Sequence, residues 1–130
     1  MGHRIQTQNR GRGGPSYRAP SHNYKAELKH PAAPDEQARG TVIDIEHDPA
    51  RHAPIARVQL ENGSKFYMLA TEGLATGDTV AWGAQAEVRS GNTLPLGAIP
   101  VGAYVCNIEA RPGDGGKFVR SSGAQAVIMG

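Results

Sequence analysis

The residues from Pro112 to Gly123, PGDGGKFVRSSG, combine four glycines, two cations and two serines. Glycine adopts positive φ without strain and leaves backbone N–H groups uncovered, so an anion can approach them without meeting a Cβ. Two cations in the same loop would add positive charge. We therefore predict that this segment, called the glycine loop (residues 112–123), binds phosphate. The predicted contacts are Gly113, Gly115, Gly116, Lys117, Arg120, Ser121 and Ser122.

The spacing excludes a P-loop that hydrolyses a nucleotide. That motif needs a glycine, four residues and then Gly-Lys-Ser or Gly-Lys-Thr, because the hydroxyl group after the lysine holds magnesium. Here Phe118 follows Gly116-Lys117, and Arg111 occupies the position of the first glycine. The sequence after the loop is also typical of a strand, where a P-loop requires a helix. We therefore expect the phosphates of a nucleic acid and no small-molecule substrate.

Metal binding and catalysis have weak support in the sequence. The five histidines and Cys106 lack the close pairing that structural zinc requires, so neither a metal nor a cofactor is predicted. Asp44, Glu46 and Asp48 alternate along one stretch and would share a strand face, but no partner stands at a spacing that defines a mechanism. A solvated strand face, or carboxylates paired with arginines, explains these acids better. The sequence predicts a protein that is not an enzyme.

The positive charge is concentrated near the N-terminus. Residues 1–26 contain no acid, whereas residues 40–130 hold seven basic and nine acidic side chains. A basic, Gly-rich arm favours nucleic acid as its partner, because the arm gains affinity by releasing condensed counterions. A membrane surface is less favoured, since the arm has no apolar stripe. The arm and the following loop supply basic residues for phosphates and tyrosines for base stacking: Arg4, Arg10, Arg12, Tyr17, Arg18, His22, Tyr24, Lys25 and Arg51.

RNA is favoured over DNA as the nucleic acid. The sequence contains no helix-turn-helix, zinc finger or other motif that reads a DNA groove. Close approach by a Gly-rich backbone also suits folded RNA that is recognised by its shape.

The elements that position these residues are short and mostly β. The 130 residues include 17 glycines and 9 prolines, and only 5% are aromatic, a composition typical of many turns and short strands. Residues 1–39 form an extended arm in this interpretation, with one helical turn capped by Ser21. Strands are predicted at 41–47, on both sides of Asn62-Gly63, at 79–82, at 86–88, and on both sides of the glycine loop.

Asn62-Gly63 predicts a β-hairpin. This pair tolerates positive φ at both central positions of a two-residue type I′ turn. Such a turn would place Val58 opposite Tyr67 on the core face of the hairpin.

The strand pattern predicts a small β-barrel of OB type. The expected organisation is a basic RNA-binding arm at 1–39, an OB-type barrel at 40–89, a Gly/Pro-rich connection at 90–102, and the start of a second β unit at 103–130. A single cysteine excludes an internal disulfide. No apolar run matches a membrane span and no signal peptide is seen, so a cytoplasmic protein is expected.

Five motifs, in order along the chain, resemble the archaeal form of the large-subunit ribosomal protein two family. They are YRAPSHNYKAEL (17–28), IEHDPAR (45–51), FYMLATEGL (66–74), SGNTLPLGAIPVG (90–102) and CNIEARPGDGGKFVRSSG (106–123). The resemblance extends over essentially the whole sequence. Members of that family continue well past residue 130, so we expect a partial chain, or one completed by another polypeptide or by RNA.

The resemblance implies an OB-type barrel followed by an SH3-like barrel, of which this sequence holds the first hairpin. It implies a structural, non-enzymatic component of the large ribosomal subunit, bound to ribosomal RNA near the peptidyl-transferase region and to neighbouring ribosomal proteins. Such a component would support subunit assembly and association. It also implies that Asp48 and Arg51 belong to an RNA-contacting loop. The alternative is a free OB-type factor that acts in translation or as an RNA chaperone.

Overall fold

The computed structural model describes residues 2–8, 10–30 and 37–130. Residues 31–36 of the predicted arm therefore lie outside the described residues. The strands are β1 (Ala38–Glu46), β2 (Ile55–Leu60), β3 (Lys65–Leu69), β4 (Thr79–Trp82), β5 (Tyr104–Val105) and β6 (Ala126–Val127). Short 3₁₀ helices lie at Gln6–Gln8, Pro15–Tyr17, Ser21–Asn23 and Leu96–Ala98. The predicted mainly β class is confirmed.

Strands β1 to β4 form one antiparallel sheet in the order β3-β2-β1-β4. Strand β1 is the longest and pairs with β2 along its length and with β4 near its start, so it is the centre of the sheet. Its pairing with β2 is interrupted by a bulge between Val42 and Asp44, which increases local twist and bending. This arrangement is consistent with an OB-type barrel.

The core lies on one face of this sheet. Its buried members are Val42, Ala56, Val58, Met68, Val80 and Trp82. The rings of Phe66 and Trp82 meet edge to face, with centroids 4.9 Å apart and an interplanar angle of 72°. Pairs of this geometry contribute about 0.5–1.5 kcal/mol beyond the area they bury. The core is therefore anchored by an aromatic pair between β3 and β4.

The hairpin of β2 and β3 has a different register from the one predicted. The Leu60 N–H donates to the Ser64 carbonyl at 2.8 Å, so three residues form the loop instead of two. Gly63 takes φ +83°, and the Asn62 side chain accepts the Ser64 N–H at 2.9 Å. Val58 consequently pairs with Phe66, and the prediction that it faces Tyr67 was wrong.

Two further expectations were wrong. Residues 86–88 form no strand in the described structure, because the chain turns there and the Ala86 N–H donates to the Gly83 carbonyl at 3.1 Å. The helical turn of the arm is present at Ser21–Asn23, but Pro20 occupies the N-cap position that Ser21 was predicted to fill.

Strands β5 and β6 flank the glycine loop, as predicted, and pair antiparallel. Tyr104 lies opposite Val127, and a further bridge joins Ile108 to Phe118 inside the loop region. The loop is therefore closed at its base by backbone pairing.

Candidate nucleic-acid interface

The arm presents its basic residues to solvent. Arg4, Arg10, Arg12 and Arg18 are exposed, and none of them forms a salt bridge with an acid in the described part of the chain. The other predicted arm contacts, Tyr17, His22, Tyr24 and Lys25, are exposed as well. The structure thus places every predicted arm contact where a partner can reach it.

The last residues of the arm are packed against the barrel. Residues 24–30, called here the strap, run along β2 and the loop after β1. Leu28 is only 4% exposed and packs with Ala53, Ile55 and Leu69 in a second cluster on the opposite face of β2. Lys25 Nζ lies 3.3 Å from a Glu46 carboxylate oxygen. Sequence reasoning missed this docking, since Leu28 is an isolated apolar residue in a polar segment.

Asp48 fixes the strap to the loop at residues 47–54, called the Asp48 loop. Its side chain is 0% exposed, although it was predicted to contact RNA. One carboxylate oxygen, Oδ1, accepts the N–H groups of Ala50 at 3.1 Å and Lys25 at 3.3 Å. The other, Oδ2, lies 3.0 Å from Arg51 Nε. The carboxylate is therefore used within the protein.

The charge state of Asp48 follows from these contacts. Burial acts to raise the pKa of Asp48, but the two backbone N–H donors and the Arg51 charge outweigh it, and the pKa is held below 3.8. Asp48 is thus an internal anion that orients Arg51. The Arg51 Nη2 donates to the Ala26 carbonyl of the strap at 3.2 Å.

The other strand-face acids also pair with cations. Arg57 lies 3.7 Å from Asp44 and 3.6 Å from Glu46. This arrangement matches the interpretation that these carboxylates serve as partners for arginines.

Three glycine amides of the glycine loop, those of Gly113, Gly115 and Gly116, are already occupied by carboxylates. Glu109 accepts the N–H groups of Gly113 at 3.1 Å and Gly115 at 3.0 Å. Asp114 accepts the N–H groups of Ala110, Arg111 and Gly116 at 3.1 to 3.2 Å. Burial acts to raise the pKa of Asp114, but these donors and Lys117 lower it overall. The expectation that these glycine amides are free to bind phosphate is therefore wrong. The anions that accept their hydrogen bonds are carboxylates of the protein itself.

The glycines of the loop also permit close packing against the strap and against Asn107, which follows β5. A Cβ on Gly115 would lie 3.2 Å from the Lys29 Cα, and one on Gly116 would meet the side chain and carbonyl of Asn107. His30 Nε2 in turn lies 3.2 Å from the Asn107 carbonyl oxygen. The strap therefore joins the four-stranded sheet to the glycine loop.

The side chains of the glycine loop differ in their accessibility. Lys117 is 61% exposed and lies 3.5 Å from Asp114, and Ser121 and Ser122 are exposed. Arg120 is partly buried, and its Nη1 donates to the Gly116 carbonyl at 3.2 Å. Among the predicted contacts in the loop, Lys117, Ser121 and Ser122 therefore present their side chains to solvent.

The described residues give little support for a metal site, a reactive cysteine or a membrane-spanning helix. Within residues 2–8, 10–30 and 37–130, no three His, Cys, Asp or Glu side chains gather as metal ligands. Burial raises the pKa of the Cys106 thiol, which favours the protonated, unreactive form. No helix in the same ranges combines the length and the apolar character needed to cross a bilayer.

Comparison with known proteins identifies the family. Residues 3–82 match the family model described as "Ribosomal Proteins L2, RNA binding N-terminal domain", and residues 89–130 match "Ribosomal Proteins L2, C-terminal domain". These matches give no support to the alternative of a free OB-type factor.

Several archaeal relatives are named large ribosomal subunit protein uL2. Those of Methanosphaerula palustris and Methanoculleus marisnigri are 70% and 69% identical over 130 residues. The protein of Halorubrum lacusprofundi is 53% identical over 130 residues. The alignments cover 99%, 100% and 99% of this chain and 54% of each relative, so the chain spans about half the length of the curated relatives it matches. The chain belongs to the ribosomal protein L2 family.

Proposed function

We propose that this chain is an RNA-binding constituent of the large ribosomal subunit. The observation that carries the proposal is the match of residues 3–82 to an RNA-binding family domain, together with an arm whose arginines are exposed and without carboxylate partners among the described residues. Exposed arginines without carboxylate partners attract a polyanion, and their binding releases its condensed counterions. Tyr17 and Tyr24, both exposed, offer rings on which unpaired bases can stack.

The proposed partner is large-subunit ribosomal RNA, near the peptidyl-transferase region, with neighbouring ribosomal proteins as further contacts. The protein would then be cytoplasmic and ribosome-bound, and its role would be architectural and not catalytic. The strap supports this role, because its contacts join the end of the arm to the Asp48 loop and to the glycine loop. We propose the organisation of arm, OB-type barrel, connection and second β unit at the bounds given above.

Sedimentation with crosslinking tests the proposal. The protein is followed in cell lysate at low and high salt, and crosslinked RNA is identified by sequencing. Co-sedimentation with the large subunit, and crosslinks from the arm and from the Lys117 region to its RNA, are expected. Sedimentation as a small free species, or crosslinks to scattered messenger RNAs, would overturn the proposal.

A further inference from the structure

The tip of the hairpin between β2 and β3 (residues 61–64) carries a chemically labile pair of residues. Asn62 is followed by Gly63, and glycine has no Cβ to shield its backbone nitrogen. That nitrogen is the group best placed along the chain to attack the side-chain amide of Asn62. All four residues of the tip are exposed, so water has access to it. The tip therefore holds both reactants of a deamidation.

The reaction needs only water as a co-reactant. The Gly63 nitrogen forms a bond to Asn62 Cγ and gives up its proton to solvent, and the side-chain nitrogen leaves as ammonia. The product is a cyclic imide. Water then opens the imide at either carbonyl, which yields aspartate or isoaspartate, in which the main chain runs through the side-chain carbons. The balance is one water consumed and one ammonia released, with no oxidation or reduction.

The closed turn holds both reacting groups. The Gly63 N–H donates to the Leu60 carbonyl at 2.9 Å, so the nitrogen must lose this acceptor before it can attack. The Asn62 Oδ1 accepts the Ser64 N–H at 2.9 Å and also the Ser64 hydroxyl group, so the carbonyl under attack is held by two donors. Attack requires the nitrogen and the carbonyl carbon to be aligned. Rotation into that alignment breaks the bonds that define the turn.

Opening of the tip is a local event. Its exposed side chains bury little apolar surface, and segments of this kind open at low cost. The strands beneath it are held more firmly, because Val58 pairs with Phe66 and the Phe66 ring packs against Trp82. The tip can thus open while the core of the sheet stays closed.

We propose that Asn62 is a deamidation site whose rate is controlled by the opening of this turn. The inference goes beyond the proposed function and does not depend on it. The product places a new carboxylate beside Glu61, and isoaspartate also lengthens the main chain within the three-residue loop. The pairing of Leu60 with Ser64 cannot then close as before. Modification is therefore a lasting record of how often the turn has opened.

The test follows deamidation in the full 130-residue chain, incubated at mildly alkaline pH with and without denaturing urea. Trypsin cleaves after Arg57 and Lys65 and releases residues 58–65, in which chromatography with mass spectrometry separates the asparagine, aspartate and isoaspartate forms. Asn62 should react in both samples, and more slowly in the native chain. The internal controls, which should stay unmodified, precede residues with shielding side chains: Asn23, Asn92 and Asn107.

A variant at Ser64 tests the role of the turn. Ser64→Ala removes the hydroxyl bond to Asn62 Oδ1 and keeps the backbone N–H. The net contribution of one hydrogen bond changes an equilibrium by about two- to tenfold, so the native rate should increase by about that factor. Ser64→Thr, which keeps a hydroxyl group, should stay near the wild-type rate. Free peptides of residues 58–65 with Ser or Ala at position 64 should react at equal rates, because they hold no turn.

Three results would overturn the proposal. Equal rates in the native and the unfolded chain would remove control by the turn. A native rate for Ser64→Ala at or below the wild-type rate would do the same. Absence of modified Asn62 in the native chain, once the unfolded chain has fully reacted, would remove the site from the folded protein. None of these measurements involves RNA, so each result leaves the proposed function intact.

Discussion

Replacement of Asp48 by alanine should strongly destabilise the fold. The side chain is fully buried, two backbone N–H groups depend on its Oδ1, and Arg51 depends on its Oδ2. Breaking a buried ion pair by removing one partner costs about 3–5 kcal/mol. Arg51 keeps 23% of its side chain exposed, so water can partly solvate it, and the lost ion pair accounts for about 1–2 kcal/mol. With about 1 kcal/mol for each lost amide bond, we expect Asp48→Ala to lower the free energy of unfolding by about 3–4 kcal/mol.

The substitution Asp48→Asn separates the two contributions. Asparagine keeps an oxygen that can accept both amides, each worth about 1 kcal/mol, and removes the charge that faces Arg51. We therefore expect Asp48→Asn to cost about 1–2 kcal/mol, roughly 2 kcal/mol less than the alanine variant. Urea unfolding followed by the fluorescence of Trp82, which is buried and is the single tryptophan of the sequence, measures both values.

A solvent-exposed acid on the same surface provides the control. Asp44 is 51% exposed and lies 3.7 Å from Arg57, so Asp44→Ala should cost less than about 1 kcal/mol. Equal losses for Asp48→Ala and Asp48→Asn would refute the assignment of the two amide bonds. A loss below 1 kcal/mol for Asp48→Ala would refute the structural role of the carboxylate altogether.

Three further predictions concern the loop, the pH response and the strap. Gly116→Ala should lower the free energy of unfolding in urea by about 1–3 kcal/mol more than Gly113→Ala does. Both glycines have positive φ, but only a methyl group at position 116 would contact other atoms. Equal losses for the two variants would contradict this explanation. Asp48 and Asp114 have pKa values lowered below 3.8, so their stabilisation is complete above the unfolded pKa and lost as pH falls through the folded pKa. The unfolding temperature of the wild-type chain should therefore decrease below about pH 4, and that of Asp114→Asn should decrease less steeply. Parallel curves of unfolding temperature against pH would contradict the lowered pKa of Asp114. Leu28→Ala should lower the free energy of unfolding by about 2–3 kcal/mol and make the arm sensitive to limited proteolysis. Wild-type stability and wild-type resistance to proteolysis would mean that polar bonds alone hold the strap.

The sequence was sufficient for elements that depend on local signals. The Asn62-Gly63 turn, strand β4 and the two strands that flank the glycine loop were all found from glycine positions and alternation. The hairpin register was missed because β3 is apolar on both faces. Phe66 and Met68 pack with one cluster and Tyr67 and Leu69 with the other, so a slip of β3 by one residue leaves its hydrophobic pattern almost unchanged.

The parts that were missed depend on contacts between distant segments. The strap is held by Asp48 and Asn107, and neither contact has a local signature in residues 24–30. The occupation of the glycine-loop amides had a signal that could have been used. Glu109 and Asp114 stand within or next to the loop, and short acidic side chains commonly accept nearby backbone N–H groups.

Because synthesis starts at the N-terminus, the strap is made well before the residue that anchors its end. His30 and its partner Asn107 are 77 residues apart, and ribosomes add about 5–20 residues each second. About 4–15 s therefore pass between the synthesis of the two residues, during which the sheet can form but the strap lacks its final anchor. Contacts of such long sequence separation also close late in folding. The newly made arm is thus exposed before the glycine loop exists, and under the proposed function RNA can bind the arm before the strap reaches its final anchor at Asn107.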